Sequence, residues 1–100
     1  MVYLLKVVGS SLEPDFIEGD FVLVSKIPFF FRAIRTGDVI VFNHLLYQTM
    51  IKYVEHFDPE TGEVFVIGSH PASIDSHTFG PIHRSAVLGK VIWHIRKKRV

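Results

Sequence analysis

Short apolar runs broken by small polar residues and turn formers recur along the chain, and they set its expected organisation. Val2-Tyr3-Leu4-Leu5-Lys6-Val7-Val8 reads as a buried strand that ends in Gly9-Ser10-Ser11. Pro14 then starts one short helical or 3₁₀ turn over Asp15-Phe16-Ile17. Glu18-Gly19-Asp20 is a turn feeding the strand Phe21-Val22-Leu23-Val24, and Thr36-Gly37-Asp38 feeds Val39-Ile40-Val41-Phe42 in the same way. The run Tyr47 to Val54 continues to Phe57. The turn Asp58-Pro59-Glu60-Thr61-Gly62 then leads to its hairpin partner, Glu63 to Ile67. Val87 to Ile95 is a final strand. No segment sustains a 3.6-residue period, so the expected fold is mostly β, a meander or barrel-like coiled sheet.

Two stretches fit no strand. In Lys26 to Arg35, Pro28 argues against a central strand, and Phe29, Phe30 and Phe31 cannot all face one core. Two readings stand: a packed loop with one or two rings buried, or an exposed apolar patch ringed by Lys26, Arg32 and Arg35. The patch would suit a membrane surface or an apolar peptide. Gly68 to Pro81 is a long non-periodic loop rich in Ser, His, Pro and Asp, a kind usually functional or mobile.

Composition narrows the classes. One hundred residues, 48% of them hydrophobic, describe one domain spanning residues 1–100. A net charge of +1 gives no case for nucleic acid as a partner. There is no cysteine, hence no disulfide framework and no thiolate metal site. The histidines at 44, 56, 70, 77, 83 and 94 lack the close pairing of a zinc site, so no metal or other cofactor is expected. No run reaches the roughly 20 apolar residues that span a bilayer, and the N-terminus lacks the pattern of a secretory signal. The expected location is a membrane surface, with a soluble cytoplasmic protein or the soluble part of an anchored enzyme as the other possibilities. The tail Arg96-Lys97-Lys98-Arg99 is a solvated basic end, with anionic lipid as its less ordinary contact.

The candidate chemistry is a serine and a lysine. A serine on a turn at a sheet rim needs a neighbouring base. Lys52, between Ile51 and Tyr53-Val54, sits where burial would lower its pKa. The Gly9-Ser10-Ser11 turn can offer backbone N–H donors to an oxyanion. On residue pattern alone, most serines beside glycine are turn residues and most lysines are solvated. A Ser-His-Asp triad using His70 or His77 with Asp75 is the competing arrangement.

Gly9-x-Ser11-Leu12-x-Pro14 resembles the Gly-x-Ser-Met-x-Pro nucleophile box of the type I signal peptidases. Ile51-Lys52 is similar to the segment holding that family's general base. Ser73-Ile74-Asp75-Ser76-His77-Thr78-Phe79-Gly80-Pro81 resembles its Ser-x-Asp-Ser-Arg-x-Phe-Gly-Pro box, and Val87 to Val91 its closing strand. The compact length and the Gly68-x-His70-Pro71 lead-in resemble the small maturation-protease branch, which includes the nickel superoxide dismutase maturation proteases and the mitochondrial inner-membrane peptidases. The resemblance implies a signal peptidase/SOS-repressor-type fold and a serine endopeptidase that trims an N-terminal leader or propeptide from a precursor. It implies Ser11 as nucleophile, Lys52 as general base and Ser73 as the group orienting the lysine. Asp75 would hold the Ser73 loop, and the Ser10-Ser11 turn would supply oxyanion donors. Leu12, Tyr53 and His77 depart from the family's methionine and its two arginines, and His77 makes the Asp75 contact sensitive to pH near 6.5. The alternatives are a self-cleaving repressor protease and a non-catalytic β-barrel that binds peptide edges.

Overall fold

In the computed structural model, which describes residues 2–9, 12–71 and 73–97, the apolar runs pair into one antiparallel sheet of seven strands. These are β1 (Val2–Lys6), β2 (Phe21–Ser25), β3 (Val39–His44), β4 (Gln48–Asp58), β5 (Glu63–Ile67), β6 (Ile82–His83) and β7 (Val87–Ile95). Their order across the sheet is β1-β2-β7-β3-β4-β5-β6. Two meanders are therefore joined by the last strand, which inserts between β2 and β3. The sheet is coiled and not closed. Register shifts interrupt three ladders, at Leu23/Val24 against β7, at Val41/Phe42 against β7 and at Val54/His56 against β5. Each shift adds local twist and bends the sheet.

The bending divides the apolar side chains between two clusters. Ile40, Phe42, Val54, Val64, Val66 and Val87 form one, with Phe29, Met50 and Phe79 packed against it. Val7, Leu12, Phe16, Val22, Val24, Val41 and Val91 form the other, with Ile51 and Tyr53 against it. The alternation of β3 and β4 between the clusters is the two-residue strand period at work. Gly89 is fixed by close approach, because a Cβ there would lie 2.8 Å from the backbone carbon of Ser25. β2 and β7 cross too tightly for any side chain at that point.

The two Gly-Asp turns are built alike. Gly19 and Gly37 take φ of +96° and +92°, which glycine adopts without the Cβ penalty. In each turn the aspartate carboxylate accepts the backbone N–H three residues earlier, Ile17 to Asp20 and Arg35 to Asp38, both at 3.1 Å. Both aspartates are buried. His94 Nε2 lies 2.7 Å from Asp20, and the Lys97 N–H donates to it at 2.7 Å. Asp38 receives both guanidinium nitrogens of Arg32, at 2.8 and 3.0 Å.

The phenylalanine stretch forms a one-turn helix, α1 (Pro28–Phe31). Both readings of it hold in part. Phe29 packs against the first cluster, with the Arg32 guanidinium over its ring, whereas Phe30 and Phe31 are 77% and 85% exposed. Arg32 is engaged by Asp38, so Lys26 and Arg35 are the patch's exposed cations. The long loop contains a second one-turn helix, α2 (Ser76–Phe79). The loop after Leu12 makes one helical turn, with the Phe16 N–H donating to the Leu12 carbonyl at 3.0 Å.

Candidate active site

β4 carries two partners in succession. Its first half, Gln48 to Tyr53, pairs with β3, and its second half, from Tyr53 on, pairs with β5. Among the described residues no strand covers the outer edge of Gln48 to Lys52. β1 is an edge strand. A cleft of about 530 Å³ opens here, lined by Leu5 to Gly9 from β1 and its extension, by Tyr47 and Thr49 to Lys52, and by Ser73 and Ile74. Its walls are mainly aliphatic, and Lys6 and Lys52 are the charged residues that line it.

Lys52 is 1% exposed, opposite Ile40 in the β3–β4 ladder. Among the described residues no hydrogen bond or ion pair reaches its amine. Burial pushes the amine below its ordinary value, because an ammonium loses hydration there, and the negative charge of Asp75 opposes part of the fall. A buried amine that leans toward its neutral form has a lone pair to offer, which is what a general base requires.

Asp75 organises the third wall. It caps α2, accepting the His77 N–H at 3.0 Å, and it takes the Gly68 N–H at 3.3 Å, tying the loop back to the end of β5. The His77 ring stands 3.1 Å from the same carboxylate, the contact expected where the resemblance has an arginine. Burial alone would raise the Asp75 carboxyl. The His77 and Gly68 N–H groups and the His77 ring outweigh burial and hold it below its ordinary value. Ser73 lies on the cleft with Lys52. Among the described residues no hydrogen bond joins its hydroxyl to the Lys52 amine. Ser10 and Ser11 lie outside the described residues, as do Lys98 and Arg99 of the tail. Gly9, which precedes the serines, lines the cleft, and its N–H donates to Glu18 Oε1 at 3.0 Å.

Among the described residues no group of His, Asp or Glu is placed to hold a metal ion. Most of the histidines have partners: His94 with the distant Asp20, and, locally, His77 with Asp75, His83 with Ser85, and His44 accepting from the Leu46 N–H. Residue pattern did not single out Tyr53 beyond its departure from the resemblance, nor Asp15 at all. The Tyr53 hydroxyl donates to Asp15 Oδ2. This bond spans 38 residues of sequence, and no local spacing signals such a contact.

The family model described as Peptidase S24-like matches residues 1–92. No curated protein matches the chain.

Proposed function

This chain belongs to the Peptidase S24-like family, and from that premise we propose that it is a serine endopeptidase using Ser11 as nucleophile and Lys52 as general base. The observation that carries the reading is the lysine: fully buried, on the wall of the cleft, with its amine shifted toward neutrality. The whole chain, residues 1–100, acts as one catalytic domain.

The substrate lies extended in the cleft, where the outer edge of Gln48 to Lys52 and the end of β1 offer backbone partners. Lys52 Nζ takes the proton from Ser11 Oγ as the oxygen attacks the scissile carbonyl carbon. Backbone N–H groups of the Ser10-Ser11 turn meet the developing oxyanion. The lysine ammonium then passes that proton to the leaving amine, and the C–N bond breaks to give an acyl-enzyme. A water molecule, deprotonated by the same amine, attacks the ester, and the proton returns to Ser11 as the acid departs. Ser73 orients the amine, and Asp75 acts through the loop that it caps. The product is a precursor shortened by its N-terminal leader. Phe30 and Phe31 dock on a membrane surface, which fits two large exposed rings beside Lys26 and Arg35. Among the described residues no helix is long and apolar enough to cross a membrane.

The test is cleavage of a panel of leader-bearing precursors, followed by mass spectrometry, with Ser11→Ala and Lys52→Ala alongside. A cut that both substitutions abolish supports the dyad. A cut that survives either one contradicts it.

A further inference from the structure

Three segments must meet for the proposed chemistry: the turn that holds Ser11, the strand that holds Lys52 and the loop that holds Ser73. Lys52 and the Ser73 loop share a cleft, but what brings the nucleophile's segment to them is a separate question. Asp15 stands four residues after Ser11 in the sequence. Its carboxylate accepts the hydroxyl of Tyr53, the residue directly after the lysine on β4. The Tyr53 ring packs against the cluster that contains Leu12 and Phe16, so both sides of this contact rest on one apolar base. Between them, the Phe16 N–H to Leu12 carbonyl bond makes residues 12–16 a single rigid turn. A second tie fixes the same turn to the third segment, since Ser69 Oγ donates to the Glu13 carbonyl at 2.8 Å.

We propose that Tyr53 and Asp15 form a clasp that sets the nucleophile-bearing loop against the base-bearing strand, and that both are positioning residues for the hydrolysis. The inference rests on the Ser11–Lys52 reading. Burial, and then the Asp15 carboxylate, push the Tyr53 hydroxyl up to about 12, so it remains a donor across any ordinary working pH. The Asp15 end of the bond is exposed. A bond at such a place adds little to global stability, so its use is in geometry. Tyr53 stands at the position where the resemblance has an arginine.

The experiment uses the full chain with Tyr53→Phe, Asp15→Asn and the pair combined. Two rates are read: phosphonylation of Ser11 by a fluorophosphonate, followed by intact mass, and turnover of a cleavable precursor peptide. Each single variant should lose about tenfold in both labelling rate and kcat, since small misplacement of reacting groups is costly. KM should stay within about twofold, and the double variant should fall no further than the singles, as partners in one contact are not additive. Thermal midpoints should agree with the parent within a few degrees. Wild-type labelling and kcat in Tyr53→Phe would overturn the clasp, as would losses that multiply in the double variant. Ser11→Ala separates the two failures. If that variant still cleaves, or if Ser11 in the parent chain does not label, the dyad reading is what fails and the clasp falls with it.

Discussion

Of the ionisable groups withdrawn from water in this fold, the two most deeply buried have surroundings that differ in kind. Asp20, 0% exposed at the end of the β1–β2 connection, accepts the backbone N–H groups of Ile17 and Lys97 and lies against the His94 ring, which stacks on Phe16. Lys52, 1% exposed on the cleft, has no hydrogen bond or ion pair among the described residues. Burying a charge is costly unless partners replace its hydration. Asp20 has those partners, and through them it ties the Ile17 turn to His94 and Lys97. Lys52 lacks them, so its proton is loosely held. A saturated buried charge builds structure. A buried amine left without partners is available for chemistry.

The largest effect that sharpens this contrast is on catalysis. Lys52→Met should reduce precursor cleavage by about 10³-fold or more, as losses of a catalytic base do. Unfolding by guanidinium should show equal or greater stability, because a poorly solvated charge has been replaced by an apolar chain of similar length. Asp20→Ala should do the reverse. It should destabilise by about 3 kcal/mol, since two N–H groups and the His94 ring lose their acceptor. Cleavage per folded molecule should be little changed. If Lys52→Met unfolded the protein instead, the lysine would be structural and the contrast would collapse.

The pH dependence of stability has a definite sign for each group. Between the depressed folded pKa of Lys52 and its ordinary 10.5, the unfolded chain holds a proton that the folded chain has released. Stability should therefore rise with pH through that window in the parent and lose that slope in Lys52→Met. Asp75 gives a slope of the same sign, at acid pH. Its folded pKa is lowered, so its contribution is complete above the ordinary carboxylate value and is lost as pH falls through the folded one. Asp75→Asn should flatten the acid limb of urea midpoints measured against pH. The smallest effect on stability belongs to the exposed rings. Phe30→Ser with Phe31→Ser should change stability by about 0.5 kcal/mol or less and abolish co-flotation with liposomes. Unchanged flotation would contradict the membrane contact.

Much of the fold was legible in the sequence because the strands are apolar and punctuated. Glu63–Ile67 and Val87–Ile95 have the boundaries that pattern predicts, and the hairpin between β4 and β5 follows from its turn residues. β6 escaped notice because two residues have no periodicity, and α1 because four residues are too few to display a helical one. The position of β7 between β2 and β3 was not legible, since nothing local encodes which strand a distant one will join. The two Gly-Asp turns, each opening an apolar strand, were visible in the sequence, but the burial of Asp20 and Asp38 was not. Their partners His94, Lys97 and Arg32 come from other parts of the chain. For the site, a lysine between apolar neighbours suggested burial, which the structure bears out. The Asp15–Tyr53 contact left no trace in any motif.

The central claim is that Lys52 carries a depressed pKa in the folded chain. Lysine side-chain nitrogen shifts, followed by NMR from pH 6 to 11 in 15N-labelled protein and assigned with Lys52→Met, read it directly. The account predicts that one resonance, absent from the variant, titrates below the ordinary value of 10.5 and below the remaining lysines. A Lys52 amine that titrates at 10.5 or above would contradict it.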